Sequence, residues 1–259
     1  MISQETARGL RDLKLSAMAK EFESQMEMPD YYRNMSFEDR LGLLVDKEKQ
    51  RISDNLIQKR IREAGFSCPD AAVEGIDYFD GRRIDRGSIM KLATCSYITE
   101  KHHLMFQQAT SAGKTYLAYT LENVAYKKKL KVKYICLPDL LDEFQFEKDR
   151  GNPARLKKDY AKYNLTIIDE WLLRPLGADD SYDLLEIIDI CCRKGSIIFC
   201  SQYDSDEWYY RIDCNRPKGE ASTVAEAVLD RFIHNKYTIN IDCTESMRKR
   251  YGLNGKDSL

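Results

Sequence analysis

Residues 108–115 read Gln108-Ala109-Thr110-Ser111-Ala112-Gly113-Lys114-Thr115, between a predicted strand and a predicted helix. The stretch is similar to the P-loop pattern G-x-x-x-x-G-K-[ST], in which backbone N–H groups at a helix N-terminus hold phosphate. Lys114 would reach the β- and γ-phosphates, and the Thr115 hydroxyl would hold Mg²⁺. Gln108 and Ser111 replace the two other glycines of the usual motif, which is expected to reshape the loop or weaken nucleotide binding. The predicted contacts to nucleotide here are Gln108, Ser111, Ala112, Gly113, Lys114, Thr115 and Tyr116.

A second motif follows downstream, where the apolar run 165–168 ends in two carboxylates, Asp169 and Glu170. A buried strand with such an end is typical of the Walker B motif. Asp169 would organise Mg²⁺, and Glu170 would orient and polarise the attacking water. An ordinary strand with an exposed acidic end is the alternative, and the intact Gly-Lys-Thr upstream makes it the weaker one.

Two further features fit a site that handles phosphate. Ser201 and Gln202 end the apolar run 196–201, where they are expected to sense phosphate or place water; a polar cap of the strand is the alternative. Arg231 ends a predicted helix and is a candidate arginine finger, a group often worth ~10³–10⁵ in rate. Supplied to a neighbour's site, it would tie hydrolysis to assembly; a surface ion pair is the alternative.

The pattern of apolar residues changes near residue 100. An apolar stripe from Leu10 to Phe22 and a second one from Leu41 to Ile61, with Ser36 as its N-cap, predict a helical N-terminal domain over residues 1–65. Residues 66–100 are interpreted as a connector with a short helix over 88–100. Beyond it, apolar runs and helical patterns alternate through residues 101–259. The predicted strands are His103–Gln107, Val132–Leu137, Leu165–Asp169, Ser196–Ser201 and Tyr237–Ile241, with helices near 114–128, 138–149, 180–193 and 222–235.

This alternation predicts an α/β fold with a mostly parallel sheet flanked by helices, preceded by the small all-helical domain. Parallel sheets bind ligands at the carboxyl ends of their strands, where both motifs lie.

Composition limits the function classes. The 259 residues are 43% hydrophobic and 32% charged, and 41 basic against 42 acidic residues leave a net charge of −1. This excludes a protein that is basic overall, although local basic clusters remain. The sequence shows no membrane-spanning run and no signal peptide, so a cytoplasmic protein is expected. Its eight cysteines contain no C-x-x-C pair and are interpreted as reduced, apolar side chains.

Taken together, these pieces resemble the AAA+ ATPases, and specifically their IstB/DnaC-like group. The resemblance covers most of the chain and rests on three stretches of the sequence. These are residues 13–18, residues 201–208, and residues 229–235 together with Glu245-Ser246-Met247-Arg248-Lys249. It implies Arg231 as the finger and Arg248 as a sensor-2-like arginine. It also implies Mg²⁺ and ATP as cofactors, oligomers that form on DNA with ATP, and a cognate transposase as partner.

The expected function is therefore that of an ATPase, slow because of its atypical P-loop, that assembles on duplex DNA and helps a transposase to capture its target. Basic clusters are candidates for phosphate contacts, with the N-terminal helices and the connector arginines preferred. A helicase loader like DnaC, with single-stranded DNA, is one alternative. A DNA scaffold that does not hydrolyse ATP is another, and a nucleotide kinase is a weaker one. The clusters are Arg60–Arg62, Arg82-Arg83 with Arg86, Lys127–Lys133, Lys157-Lys158 and Arg248–Arg250.

Overall fold

The computed structural model describes residues 2–63, 68–79, 81–107, 112–215, 222–243 and 247. Contacts divide the chain into two compact units, Met1–Gly65 and Phe66–Leu259. The predicted connector, residues 66–100, belongs to the second unit, because its apolar side chains Ile89, Leu92 and Tyr97 enter that unit's core.

The first unit is helical. Its elements are α1 (Ile2–Asp12), α2 (Ser16–Glu27), α3 (Pro29–Tyr32) and α4 (Phe37–Glu63). The apolar stripe from Leu10 to Phe22 does not form one helix, because the chain turns at Lys14, whose φ is 63°. Ser36 caps α4 as predicted, since its hydroxyl accepts a hydrogen bond from the Asp39 N–H at 3.1 Å.

A buried carboxylate holds this unit together. Glu48 of α4 is 5% exposed and accepts the N–H groups of Ala17 and Met18 at 3.0 and 3.1 Å. These two donors belong to the first turn of α2, whose own N-cap, Leu15, supplies no side-chain acceptor. Arg51 also donates to Glu48, and this bond is the main cause that lowers the pKa of the carboxyl.

The second unit is built on a five-stranded sheet in the order β3-β4-β5-β2-β6, with every neighbouring pair parallel. The strands are β2 (His103–Gln107), β3 (Val132–Cys136), β4 (Leu165–Trp171), β5 (Ser196–Ser201) and β6 (Lys236–Asn240). All five predicted strands are present, within two residues at each end. A separate antiparallel pair joins β1 (Arg82–Arg83) to β7 (Asp242–Cys243).

Helices cover the sheet, as the alternation predicts. They are α5 (Arg86–Leu92), α6 (Ser96–Thr99), α7 (Lys114–Lys127), α8 (Leu137–Asp149), α9 (Pro153–Tyr160), α10 (Ala178–Lys194), α11 (Ser205–Ile212) and α12 (Thr223–Asp230). The single helix predicted over 88–100 is two short ones, and the pattern at 222–235 ends as a helix at Asp230 with a 3₁₀ turn, Ile233–Asn235. Helices α9 and α11 are short and were not predicted.

Two apolar cores lie on opposite faces of the sheet, because alternate residues of β2 and β5 belong to different cores. One packs α7 and the 86–98 segment against β2 and β4, with Leu117 and Leu121 fully buried. The other contains a cluster of four aromatic rings whose centroids lie 4.3–6.3 Å apart. The aromatic cluster comprises Trp171, Phe199, Trp208 and Phe232. It fixes the ends of β4 and β5 against α11 and the turn after α12.

Within the described ranges, none of the helices has both the length and the apolarity that crossing a membrane requires. The cysteines whose side chains are described all carry free thiols: Cys68, Cys95, Cys136, Cys191, Cys192, Cys200 and Cys214.

Candidate functional site

The two sequence motifs meet at the carboxyl ends of the parallel strands. Helix α7 begins at Lys114, and the hydroxyl of Thr115 in its first turn donates to Asp169 Oδ2 of β4 at 3.0 Å. A hydroxyl and a carboxylate are the oxygen ligands that Mg²⁺ prefers. The pair therefore fits the metal of a nucleotide complex, and it stands beside the positive end of a helix that suits phosphate.

Lys114 is 8% exposed, which is unusual for a lysine. Burial lowers its pKa from the ordinary value, while nearby Cys200 and Asp169 act in the opposite direction. A buried cation at a helix N-terminus, directly after Gly113, suits the binding of an anionic ligand. Gly113 itself has φ +89°, which a side chain would strain.

Asp169 is held on both of its oxygens. Oδ1 accepts the N–H of Glu170 at 2.8 Å, and Oδ2 accepts the hydroxyls of Thr115 and Tyr134. Burial and the bond to Asp169 raise the pKa of Tyr134 far above its ordinary value, so this hydroxyl stays a donor. Tyr134 lies on β3, two residues before the end of the strand. Only the pairing of β3 with β4 identifies it as part of the site.

Glu170 leaves the regular strand. Its φ is +55°, Leu172 has φ +54°, and the register between β4 and β5 shifts between Ile168 and Trp171. Because the neighbours Asp169 and Trp171 are buried while Glu170 is exposed, the irregularity turns this carboxylate toward solvent at the edge of the sheet. Backbone strain of this kind in a non-glycine residue is a common mark of a functional position.

Ser201 and Gln202 occupy the end of β5, next to β4. Ser201 is fully buried, and its hydroxyl accepts hydrogen bonds from Trp208 Nε1 at 3.2 Å and the Tyr203 N–H at 3.1 Å. It also lies 3.2–3.3 Å from the carbonyl oxygens of Tyr203 and Trp171, as a donor would. The hydroxyl thus connects the strand end to the aromatic cluster, while the Gln202 side chain is exposed beside it.

Arg231 lies on the face of the sheet opposite α7, since its neighbour Phe232 packs against Trp171 and Phe199 in one apolar core while α7 packs in the other. It follows α12 directly and precedes β6, whose first residue, Lys236, pairs with His103 at the start of β2. Its Nε donates to Asp189 of α10 at 2.9 Å, and its side chain is 41% exposed. The structure therefore does not bring Arg231 to the Lys114–Asp169 pair of its own chain.

Arg82, which belongs to a basic cluster named above as a candidate for DNA contacts, lies beside the P-loop. Its side chain is 5% exposed, and its Nη2 donates to the carbonyl oxygen of Ala112 in the P-loop at 3.1 Å. Its guanidinium is enclosed beside the loop and is therefore not available to a DNA phosphate, so Arg83 and Arg86 are the exposed candidates of this cluster.

The remaining residues that the sequence predicts to contact nucleotide lie around the P-loop or outside the described residues. Ala112 is buried, and the hydroxyl of Tyr116 packs against Gly75 in the 3₁₀ turn Val73–Gly75. Met247 approaches the P-loop as well, with its Cγ 3.7 Å from where a Cβ on Gly113 would stand. Gln108, Ser111 and Arg248 lie outside the described residues.

Comparison with known proteins agrees with this geometry. The family model "IstB-like ATP binding protein" matches residues 8–254. An ATP-binding protein of insertion sequence IS1162 from Pseudomonas fluorescens is 32% identical over 205 residues, which are 79% of this chain and 88% of the relative.

Solved structures show the same fold. DnaA from Aquifex aeolicus, bound to AMPPCP, superimposes with a TM-score of 0.53 at 14% identity over 70% of this chain and about half, 53%, of DnaA. The DnaC helicase loader gives a TM-score of 0.51 at 17% identity, over 66% of this chain and 97% of the loader. The likeness shows that the chain has the α/β fold of these two proteins. With its intact Gly-Lys-Thr, buried Asp169 and match over nearly the whole sequence, the chain belongs to the IstB-like family of ATP-binding proteins.

Proposed function

We propose that this chain hydrolyses ATP slowly, assembles on duplex DNA in an ATP-dependent oligomer, and helps the transposase of an insertion sequence to capture its target DNA. The observation that carries the proposal is the separation of two groups within one chain. Lys114, Thr115 and Asp169 lie together beside α7 at the carboxyl ends of the strands, whereas Arg231 follows α12 on the opposite face of the sheet, paired with Asp189 and partly exposed.

In the proposed site, each residue has one task. Lys114 and the α7 N-terminus bind the phosphates, and Thr115 and Asp169 hold Mg²⁺, which would neutralise charge on the transferring phosphoryl group. Glu170 faces solvent from its strained position and orients the attacking water. Arg231 reaches the nucleotide of a neighbouring protomer, so hydrolysis depends on assembly. Arg248 is proposed as a further nucleotide contact, and Gln202 as a sensor of the γ-phosphate.

DNA binding is proposed to use exposed basic side chains of several protomers. The chain has a net charge of −1, so a single protomer provides little attraction for a duplex. Exposed cations include Arg83, Arg86 and the run Lys127–Lys129. Repeated along an oligomer, such patches release counterions together and make binding sensitive to salt. The insertion-sequence relatives support the transposase as partner.

Glu170→Gln tests the enzymatic part of the proposal. We expect ATP turnover to be stimulated by duplex DNA in the native protein and to be lost in this variant, while ATP binding is kept. Glu207→Gln is the matched control, because Glu207 is also exposed but lies on α11. Equal turnover in the native protein and Glu170→Gln would refute hydrolysis at this site and favour a scaffold that only binds nucleotide.

The choice of nucleic acid tests the rest. A helicase loader is the second candidate, because the DnaC loader shares the fold and is covered almost completely. The proposal predicts tighter ATP-dependent binding to duplex DNA than to single strands of the same length, with an affinity that falls as salt rises. A preference for single strands would favour the loader, and an affinity unchanged by salt would contradict contacts to phosphate.

A further inference from the structure

We propose that Arg82 is a positioning residue of the nucleotide site, which orients the peptide between Ala112 and Gly113 so that its N–H faces the bound phosphate. The inference requires nucleotide binding alone and is independent of DNA, oligomers and hydrolysis.

The contacts of Arg82 form a bridge. Nη1 donates to the carbonyl oxygen of Asp77 at 2.9 Å, and Nη2 donates to the carbonyl oxygen of Ala112 at 3.1 Å. With 5% of its surface exposed, the side chain is fixed between the segment that precedes β1 and the P-loop. A planar guanidinium can make both bonds at once because its donors point in different directions in one plane.

The bond to Ala112 determines the orientation of the next N–H. The carbonyl and the N–H of a trans peptide point in opposite directions, and the described residues contain no cis peptide. With the Ala112 oxygen directed at Arg82, the N–H of Gly113 points away from Arg82. Phosphate in a P-loop is bound by such backbone N–H groups, so a flipped peptide would present an oxygen to an anion.

Gly113 is matched to this arrangement for two independent reasons. Its φ of +89° favours glycine, and a Cβ on it would stand 2.6 Å from Arg82 Nη2. The guanidinium therefore occupies the space that any side chain at residue 113 would need. Arg82 and Gly113, which are 31 positions apart in sequence, are therefore in close contact only because residue 113 has no side chain.

The unusual sequence of this P-loop is a reason why the contact with Arg82 would matter for nucleotide binding. Two positions that are usually glycine carry Gln108 and Ser111. An external anchor on Ala112 then stabilises the loop geometry from the side. The β1–β7 pairing supports the anchor, since Arg82 pairs with Cys243 in that ladder.

The test measures ATP and ADP binding by calorimetry without DNA, for Arg82→Met, Arg82→Lys and the control Arg83→Met, whose residue is adjacent and exposed. We expect Arg82→Met to weaken both nucleotides about tenfold, because both depend on the same peptide. Arg82→Lys should weaken them less, since lysine keeps the charge but lacks the planar fork that bridges two carbonyls. Arg83→Met should bind as the native protein does.

A second readout follows the peptide itself. With ¹⁵N-glycine labelling, the 13 glycines give a simple amide spectrum, and the Gly113 signal of the nucleotide-free protein should move in both Arg82 variants but not in Arg83→Met. Native affinity in Arg82→Lys would show that charge alone matters and would overturn the bridge. Native affinity in Arg82→Met, with any loss confined to melting temperature, would overturn the proposal entirely. If Arg82→Met fails to fold, the lysine variant decides.

Discussion

Arg231 donates its Nε–H to Asp189 Oδ1 at 2.9 Å, while the other oxygen of Asp189 accepts from Arg193. The carboxylate of Asp189 on α10 thus fixes Arg231 through the Nε of its guanidinium. A guanidinium held through Nε still offers its two terminal nitrogens as a fork for an anion. This geometry suits the arginine finger proposed above, whereas a surface ion pair on its own would contribute little to stability.

If Arg231 acts on the neighbour's nucleotide, as proposed, Arg231→Ala should abolish DNA-stimulated turnover and leave ATP binding intact. The loss is expected to reach ~10³-fold, as for arginine fingers in general. Mixing Arg231→Ala with Lys114→Ala protomers tests the trans arrangement, since the first supplies pockets and the second supplies fingers. The mixture should recover part of the activity; no recovery at any ratio would contradict it.

Asp189→Asn should reduce turnover about tenfold, because the amide keeps the shape of the side chain but loses the charge that fixes Arg231. Asp180→Asn, nearer the start of the same helix, is the control. ATP turnover at saturating DNA provides the measurement. An increase in turnover would instead mean that Asp189 restrains the finger.

Glu122 makes the stability of the second unit depend on pH. Neither of its carboxyl oxygens has a hydrogen-bond partner among the described residues, and burial raises its pKa to about 8. The folded protein therefore keeps a proton that the unfolded chain loses above its ordinary pKa of 4.5. Stability contributed by the neutral form is complete below pH 4.5 and is lost as pH rises toward 8.

Glu122→Gln should therefore be more stable than the native protein at pH 8 by roughly 2 kcal/mol, with a smaller difference at pH 6. Urea unfolding at the two pH values measures this, and the exposed Glu74→Gln serves as control. A difference between native and variant protein that does not change with pH would show that Glu122 does not titrate in this range.

Tyr134→Phe should raise the Mg²⁺ concentration needed for half-maximal ATP binding several-fold. The hydroxyl fixes Asp169 from β3, and a hydrogen bond to a charged group contributes about 1.5–3 kcal/mol. Nucleotide binding in EDTA should remain as in the native protein. Tyr182→Phe, on an exposed side chain, is the control. Tighter Mg²⁺ binding in Tyr134→Phe would show that the hydroxyl competes with the metal.

Phe232→Ala should cost about 3–5 kcal/mol of unfolding free energy, because its ring is fully buried and lies 4.3 Å from Phe199. Both tryptophans of the chain belong to the same cluster, so their fluorescence reports its loss during urea unfolding. Phe146→Ala, at 57% exposure, should change stability by less than about 1 kcal/mol. Equal effects of the two substitutions would contradict a supporting role for the cluster.

The strands and the acidic end of β4 were predictable from sequence because each apolar run is short and bounded by polar residues. The contact of Thr115 with Asp169 follows from two motifs that must meet at one sheet edge. Tyr134 and Arg82 were not predictable, since their partners lie 35 and 30 positions away and no local pattern marks them. The turn at Lys14 was also missed, because the spacing of apolar residues continues across it.

The opposite placement of Lys114 and Arg231 gives the proposed assembly a direction. Each protomer offers a pocket on one side and a finger on the other, so contacts are head to tail and close into a ring or continue as a helix. In an open chain the two terminal protomers differ. One has a nucleotide site that receives no Arg231 from a neighbour, and the other has an Arg231 that reaches no nucleotide site. Every added protomer contributes one complete site, and a protomer removed from either end takes one away.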